Sequence, residues 1–328
     1  MHFKGIDVSR DHLDTVLIDA DGTALRPPRR YPNTTRGILR LLADLPQPDS
    51  TVVLFECTGV YGKRLEALLP GRVAMLCPAN PKVIKNAALS MTATKTDAVD
   101  ARAIAEAARC LYQSKREVLD RYNLDEPPNA DLECWLTEYD RLRKAMVRLK
   151  QQREVLRHHP AAVAKTLRRR YTRDLERLQR QQDEARREID RLADSEMVRL
   201  IASINGIGTL TAAAVARRIR SIDRFESADK LKAYLGRYPV RKESGKRAGR
   251  ARMAKHGDRL VRHLLFNCAK SAARWNPACK ALYDRLIEKG HNAVYAWNAV
   301  MRKLVQIIYG VLKSGTPWNP EFGLTVNG

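Results

Sequence analysis

A chain of 328 residues with 44% apolar side chains is long enough for two or three cored domains, and this composition is not that of a disordered chain. Its 60 Lys+Arg against 37 Asp+Glu give a formal charge of +23, more than solubility needs, which implies a polyanionic partner: nucleic acid or an anionic membrane surface. No run of about 18 apolar residues occurs, and residues 1–9 lack a basic start followed by a long apolar stretch, so neither a membrane span nor a secretory signal is expected, and a cytoplasmic protein is. The charge is uneven. Residues 1–110 hold 15 Lys+Arg and 12 Asp+Glu, leaving 45 basic against 25 acidic residues for 111–328. The six cysteines (Cys57, Cys77, Cys110, Cys134, Cys268 and Cys279) form no CxxC pair and read as reduced core thiols without a function.

In chain order, residues 3–8 (FKGIDV) and 13–19 (LDTVLID) predict two strands joined by a short turn, with a third near 24–31 completing a meander. Asn33 or Thr34 caps a helix that runs to about Leu45. Residues 51–55 (TVVLF) form an uninterrupted apolar run, as in a buried central strand, and deliver Glu56 at its end. A turn then leads into a helix through Leu69, and residues 73–77 form a further strand. The stretch 94–105 (TKTDAVDARAIA) opens a helix with Asp97 and Asp100 on one side. Two like charges there repel unless something positive intervenes, either Lys95, Arg102 or a metal; an acidic first turn that suits the helix dipole is the plainer reading. The β-β-β-α-β-α-β-α order is that of the ribonuclease H-like fold. Asp7 in the first strand, Glu56 after the fourth, and Asp97 with Asp100 on the last helix suit two-Mg²⁺ phosphoryl transfer, where hard oxygen ligands converge on ions about 4 Å apart.

Leu132, Trp135, Tyr139, Leu142, Met146, Leu149 and Leu156 make a narrow apolar stripe, broken at Pro160. Leu167, Tyr171, Leu175, Leu178, Ala185, Ile189 and Leu192 make a second, flanked by arginines. Two long helices hinged at Pro160 predict a coiled coil, serving as a spacer or as a dimerisation arm. Residues 203–219 (SINGIGTLTAAAVARRI) resemble a helix-hairpin-helix, whose backbone N–H groups approach a phosphate at Gly206, Gly208 and Thr209; a tight turn needing positive φ would use the same glycines. Residues 237–262 carry ten Lys+Arg against two Asp+Glu with three interspersed glycines, and read as a flexible loop laid along a phosphate backbone. Its candidate contacts are Arg241, Lys242, Lys246, Arg247, Arg250, Arg252 and Lys255. Within it lies Ser244, by itself an ordinary loop serine. Residues 260–312, with Trp275 and Trp297, read as core helices. No GxxxxGK[ST] occurs, and no nucleotide cofactor is expected.

GIDVS, FECTGVY and TKTDAVDARAIA resemble the three acidic blocks of the DEDD-type insertion-sequence transposases, the one-hundred-and-ten family, related to Piv-type invertases. The resemblance covers nearly the whole chain apart from the middle helices. It implies an N-terminal RuvC-like α/β catalytic domain over 1–112, a helical coiled-coil oligomerisation region over 113–195, and a mainly α transposase domain over 196–328. It further implies that Asp7, Glu56, Asp97 and Asp100 bind one or two Mg²⁺ ions. The family's Y-x-G-x-x-P block followed by S-G falls on Tyr234, Gly236, Pro239 and Ser244-Gly245, which makes Ser244 the implied nucleophile, activated in the field of Arg241, Lys242, Lys246, Arg247 and His256. The implied partners are double-stranded donor and target DNA, a structured guide (bridge) RNA encoded beside the gene, and further copies of the chain, dimer to tetramer, with association to the nucleoid during action. The competing functions are a metal-dependent nuclease or junction resolvase that uses water, and a non-catalytic nucleic-acid-binding scaffold.

Overall fold

Alternation in the first twenty residues builds a meander of β1 (His2–Val8) and β2 (His12–Ile18), paired antiparallel, followed by β3 (Arg29–Pro32). The computed structural model describes residues 1–56, 59–88, 97–236, 239–240, 243–244, 247–248, 252–253 and 258–320, with the backbone alone at 82, 86, 88 and 97–99 and in the short strands between 239 and 253. It forms two compact units, Met1–Ala130 and Asp131–Gly328.

In the first unit β3 is shorter than the expected 24–31. Ala24 makes only a lone bridge to Ile18, and the ladder resumes after Pro27 and Pro28, which have no N–H to contribute. Thr34 then caps α1 (Thr35–Ala43), its hydroxyl accepting from the Gly37 amide. Next come β4 (Thr51–Glu56), α2 (Lys63–Leu68), β5 (Met75–Ala79), α3 (Pro81–Ala88), α4 (Asp97–Ser114) and α5 (Arg116–Tyr122). The fifth strand starts two residues later than expected. The seven-residue α5 is too short to carry an apolar stripe, and no reading of the sequence anticipated it. The sheet order is β3-β2-β1-β4-β5, with β1, β4 and β5 parallel. This is a mixed α/β layer arrangement consistent with a ribonuclease H-like domain. The apolar side chains of β4 are fully buried, as a central parallel strand covered on both faces requires. One face packs Phe3, Val52, Leu54 and Cys77 under α4; the other packs Ile6, Leu13, Val53 and Phe55 against α1 and α2.

The second unit begins with α6 (Ala130–Val155) and α7 (Ala162–Leu192). They are antiparallel neighbours: Arg153 approaches the Thr172 hydroxyl at 3.5 Å near the closed end, while Arg186 and Asp183 act electrostatically on Tyr139 further along. The expected stripes lie inward, with Leu132, Leu142, Met146, Leu175, Ala185 and Ile189 buried; Leu136, off the predicted stripe, is buried as well. Leu132, Leu136 and Ile189 belong to the same core as the helices that follow, so the root of this hairpin is part of the second unit rather than a detached spacer. That core also contains α8 (Glu196–Ala202) and α9 (Thr209–Ile219), whose alanines are buried on nearly every side, and α10 (Ala228–Tyr234). Four two-residue strands follow: β6 (Pro239–Val240), β7 (Glu243–Ser244), β8 (Arg247–Ala248) and β9 (Arg252–Met253). The chain then enters α11 (Arg259–Trp275), α12 (Pro277–Glu288) and α13 (Ala293–Ser314). The reading of residues 260–312 as core holds for the inward faces of α11 and α13, but α12 buries Cys279 alone, and Trp275 (73%), Ile287, Val294 and Tyr295 are exposed. Among the described cysteines all are free; Cys77, Cys268 and Cys279 are buried as expected, but Cys134 is exposed. No described helix is long and apolar enough to cross a membrane.

Candidate active site

The acids of the first unit meet because a helix lies directly on a strand. In β1, residues 3, 5 and 7 share the face that α4 covers. A Cβ at Gly5 would overlap the carbonyl oxygen of Ala101 and the amide nitrogen of Ala105, so the strand and helix backbones touch there. Ala101, Ala105, Ala107 and Ala108 are all fully buried, and nothing larger would permit the approach. Asp7 lies two residues beyond Gly5 on the same face, and Asp100 immediately precedes Ala101, with its side chain exposed. On the other side, Ile6 pairs with Phe55 in the parallel ladder, so Asp7 and Glu56 are the next residues along adjacent strands. Burial pushes the Glu56 carboxyl above its usual range, and the negative charges of Asp7 and Asp100 push it further in the same direction. Thus Asp7, Glu56 and Asp100 share one electrostatic neighbourhood. Asp97 is the first residue of the same helix; its backbone alone is described.

Arg102, one of the three positive groups that could sit between the acids, is engaged elsewhere. Its guanidinium donates to the Gly22 carbonyl at 3.1 Å and approaches Glu106, which is buried and also held by Arg109 at 2.9 Å. With Gln113 donating to the Ala20 carbonyl, these contacts fix α4 over the turn after β2. Lys95 lies outside the described residues. Among the described residues, no three His, Cys, Asp or Glu side chains form a ready-made metal cage. The donor chemistry nevertheless suits a hard divalent ion: oxygen ligands only, with one carboxyl raised by burial and further by two neighbouring negative charges that a cation would offset.

The segment around Ser244 differs from the flexible loop expected. Pro239 pairs with Met253 and Val240 with Arg252; inside that ladder Glu243 pairs with Ala248 and Ser244 with Arg247. The two ladders are nested and antiparallel, so Ser244 occupies the innermost registered pair. For Ser244, Arg247 and Arg252 the backbone alone is described; Arg241, Lys242, Lys246, Arg250, Lys255 and His256 lie outside the described residues.

Both roots of this hairpin are held by arginine. On the entry side, Tyr234 ends α10, donates its hydroxyl to the Arg218 carbonyl at 3.1 Å, and packs between the guanidinium groups of Arg218 (4.7 Å) and Arg224 (5.8 Å). Gly236 follows at φ 75, a left-handed conformation that glycine adopts without strain. On the exit side, Asp258 caps α11 through the amides of Leu260 and Val261, and its other oxygen accepts from Arg217 at 2.6 Å. Arg217 reaches Glu133 of α6 at 3.0 Å as well, and all three side chains are about four-fifths buried. The sequence reading missed this bridge, because its three members come from three distant elements. Gly5 was also missed, although a glycine inside a strand is itself a signal of close backbone approach.

In the GIG turn the two glycines differ. Gly206 sits at φ 101, and a Cβ there would meet the backbone of Ala272 in α11 at 2.8 Å, so this glycine serves packing. Gly208 is exposed, caps α9 without a side-chain bond, and has open space where a Cβ would sit; Thr209 beside it is half-buried. Beneath them the buried Cys268 thiol contacts the Thr211 hydroxyl at 3.3 Å.

The first unit's sheet order, together with acids on β1, β4 and α4, is consistent with a ribonuclease H-like domain of the DEDD type. A family model for the DEDD transposase of IS110 matches residues 4–159, and one described as Transposase IS116/IS110/IS902 family matches residues 198–284. The chain belongs to the IS110 family of DEDD transposases. It is 26% identical over 117 residues to the insertion element IS110 uncharacterized 43.6 kDa protein of Streptomyces coelicolor, covering 36% of this chain and 29% of that protein. It is 25% identical over 122 residues to the insertion element IS900 uncharacterized 42 kDa protein of Mycobacterium paratuberculosis, covering 37% and 31%. It is 32% identical over 89 residues to the transposase for insertion sequence element IS1328 of Yersinia enterocolitica, covering 27% of each. The chain thus aligns with about three-tenths of the length of these relatives.

Proposed function

We propose that the protein cuts and rejoins double-stranded DNA, with Ser244 as nucleophile and Asp7, Glu56, Asp97 and Asp100 as ligands for Mg²⁺. The observation that carries this reading is the convergence of Asp7, Glu56 and Asp100 from β1, β4 and α4, where burial first, and then the charges of Asp7 and Asp100, raise the Glu56 carboxyl. A divalent ion bound there supplies charge neutralisation at the scissile phosphate. The chain's own part is to hold the acids at fixed spacing and to deliver the serine on a hairpin anchored at both ends. In the step itself, the Ser244 hydroxyl loses its proton to a base, Oγ bonds to phosphorus, and the P–O bond to one strand breaks, that strand leaving as a hydroxyl. The phosphoserine retains the bond energy, so a second strand's hydroxyl reverses the step without ATP. The cations beside Ser244 in sequence, Arg241, Lys242, Lys246 and Arg247, favour the ionised hydroxyl, while Arg250, Arg252 and Lys255, with Gly208 and Thr209, serve as phosphate contacts, Gly206 being left to packing.

In this reading residues 1–112 are the acidic platform, 113–195 the coiled-coil oligomerising region, and 196–328 the transposase domain. The protein works in the cytoplasm at the nucleoid as a dimer or tetramer guided by a structured RNA. The decisive experiment is Ser244→Ala with trapping of covalent protein–DNA species on element ends. Wild type gives an adduct and strand exchange, and the variant gives neither; cleavage that persists in the variant without an adduct would instead establish the water-using nuclease. Sequencing of copurifying RNA tests the guide, which fails if no discrete element-encoded species is found.

A further inference from the structure

The closed end of the α6–α7 hairpin carries a cleft of about 750 Å³ lined by Arg153, Arg157, Lys165, Arg168, Arg169 and Arg173. Glu154, bonded to Arg157 at 3.1 Å, is the sole carboxylate on its described wall. The first twelve residues of α7 contain five cations and no acid before Asp174, so positive charge is concentrated where the helix dipole is already positive. An isolated helix is destabilised by this arrangement. Further along, α7 mixes signs with Glu176, Asp183, Glu184, Glu188 and Asp190. Among the described residues, Lys165, Arg168, Arg169 and Arg173 make no ion pair. An uncompensated cluster on one helix face is what an external polyanion neutralises.

We infer that this cleft is a clamp for the backbone of duplex DNA, separate from the serine hairpin and the acidic platform; it rests on the reading of the protein as one that acts on DNA. Lys165 to Arg173 spans about 12 Å of helix, which matches three or four phosphates of one strand at roughly 3.4 Å each. No aromatic side chain lines the cleft among the described residues, so it offers no surface on which unpaired bases stack, and a double helix fits it better than a single strand. Apart from Thr172 and Glu154 every lining residue is a cation, so attraction to the phosphates, which is the same for every sequence, dominates the grip.

The test is salt-dependent binding of the full-length protein to an arbitrary 30-base-pair duplex, comparing wild type with Arg168→Gln/Arg169→Gln/Arg173→Gln. Glutamine is a good helix former, and all three positions are exposed. Affinity falls on the order of 10- to 100-fold, equally for unrelated sequences, and the slope of log K against log salt drops by about 2–3. The triple lysine variant binds like wild type. In unaltered protein, duplex DNA protects Lys165 from acetylation, a readout that stands even where the glutamine variant loses helicity. An unchanged slope with an unprotected Lys165 overturns the inference. So does a loss confined to structured RNA, or one that appears only as altered oligomeric mass. Wild type that binds no duplex at all overturns the underlying DNA reading instead.

Discussion

The acidic platform and the serine hairpin are held by different kinds of contact. In the first unit the spacing of the carboxylates is set by backbone against backbone: the missing side chain of Gly5 lets α4 rest on β1, against the backbone of Ala101 and Ala105. In the second unit the hairpin is rooted through side chains, by Tyr234 between two arginines and by Arg217 between Glu133 and Asp258. Backbone contact is insensitive to salt and intolerant of substitution. Side-chain bridges are adjustable and lose strength as ions screen them. Under the proposed function, fixed spacing would suit acids that share one ion, and an adjustable root would suit a serine that has to reach DNA.

Breaking the first kind of contact carries the largest expected effect. Gly5→Ala destabilises the protein by roughly 3 kcal/mol in urea unfolding and removes most divalent-ion-dependent activity, because the added methyl displaces α4 and Asp100 with it. Gly208→Ala, where the methyl meets nothing within 4 Å, stays within about 1 kcal/mol of wild type. For the second kind, Arg217→Ala takes the shared cation away from two largely buried carboxylates and costs about 2–3 kcal/mol, with strand exchange reduced more than metal binding; a parallel loss of both would contradict the division of labour.

Two smaller effects concern pH. Lys4 is buried on the face of β1 opposite Asp7, and burial, followed by the Arg29 charge, lowers its ammonium to about 8. Between that value and the unfolded 10.5 the unfolded chain binds more protons, so wild-type stability gains a rising contribution as pH increases. Lys4→Met abolishes that rise and stabilises the fold at pH 7 by on the order of 1–2 kcal/mol, measured by unfolding at several pH values. Glu56 has the opposite charge and a raised folded-state value. Its contribution is fully present below the ordinary carboxylate range and is lost as pH climbs through the raised folded value. Glu56→Gln therefore stabilises the metal-free protein at pH 7 by a few tenths of a kcal/mol, discounted for its exposure, and the gain vanishes in acid. Added Mg²⁺ raises the melting temperature of wild type and not of this variant, which separates a ligand from a merely strained acid.

The alternation of β1 and the apolar run of β4 made Asp7 and Glu56 legible in the sequence, because strand period and strand end decide where a side chain emerges. The start of α4 was legible for the same local reason. What set these acids beside one another was not: the contact of Gly5 with Ala101 and Ala105 joins residues about a hundred positions apart, and no periodicity reports it. The hairpin around Ser244 was read as a loop because glycines and cations suggest irregular structure, while its register depends on pairing across the segment. The Arg217 bridge was invisible for a similar reason, since its members are unremarkable within their own helices.

The seat of α4 on β1 also has a consequence for synthesis. Translation delivers β1 first and α4 nearly last within the first unit, so Gly5 waits for Ala101 and Ala105 to leave the ribosome before the sheet is covered on that side. Asp7 and Glu56 are therefore made well before Asp100 can join them. A nascent chain cannot bring the three acids together until the unit is almost complete, so whatever the cluster binds can be held only by a nearly finished unit.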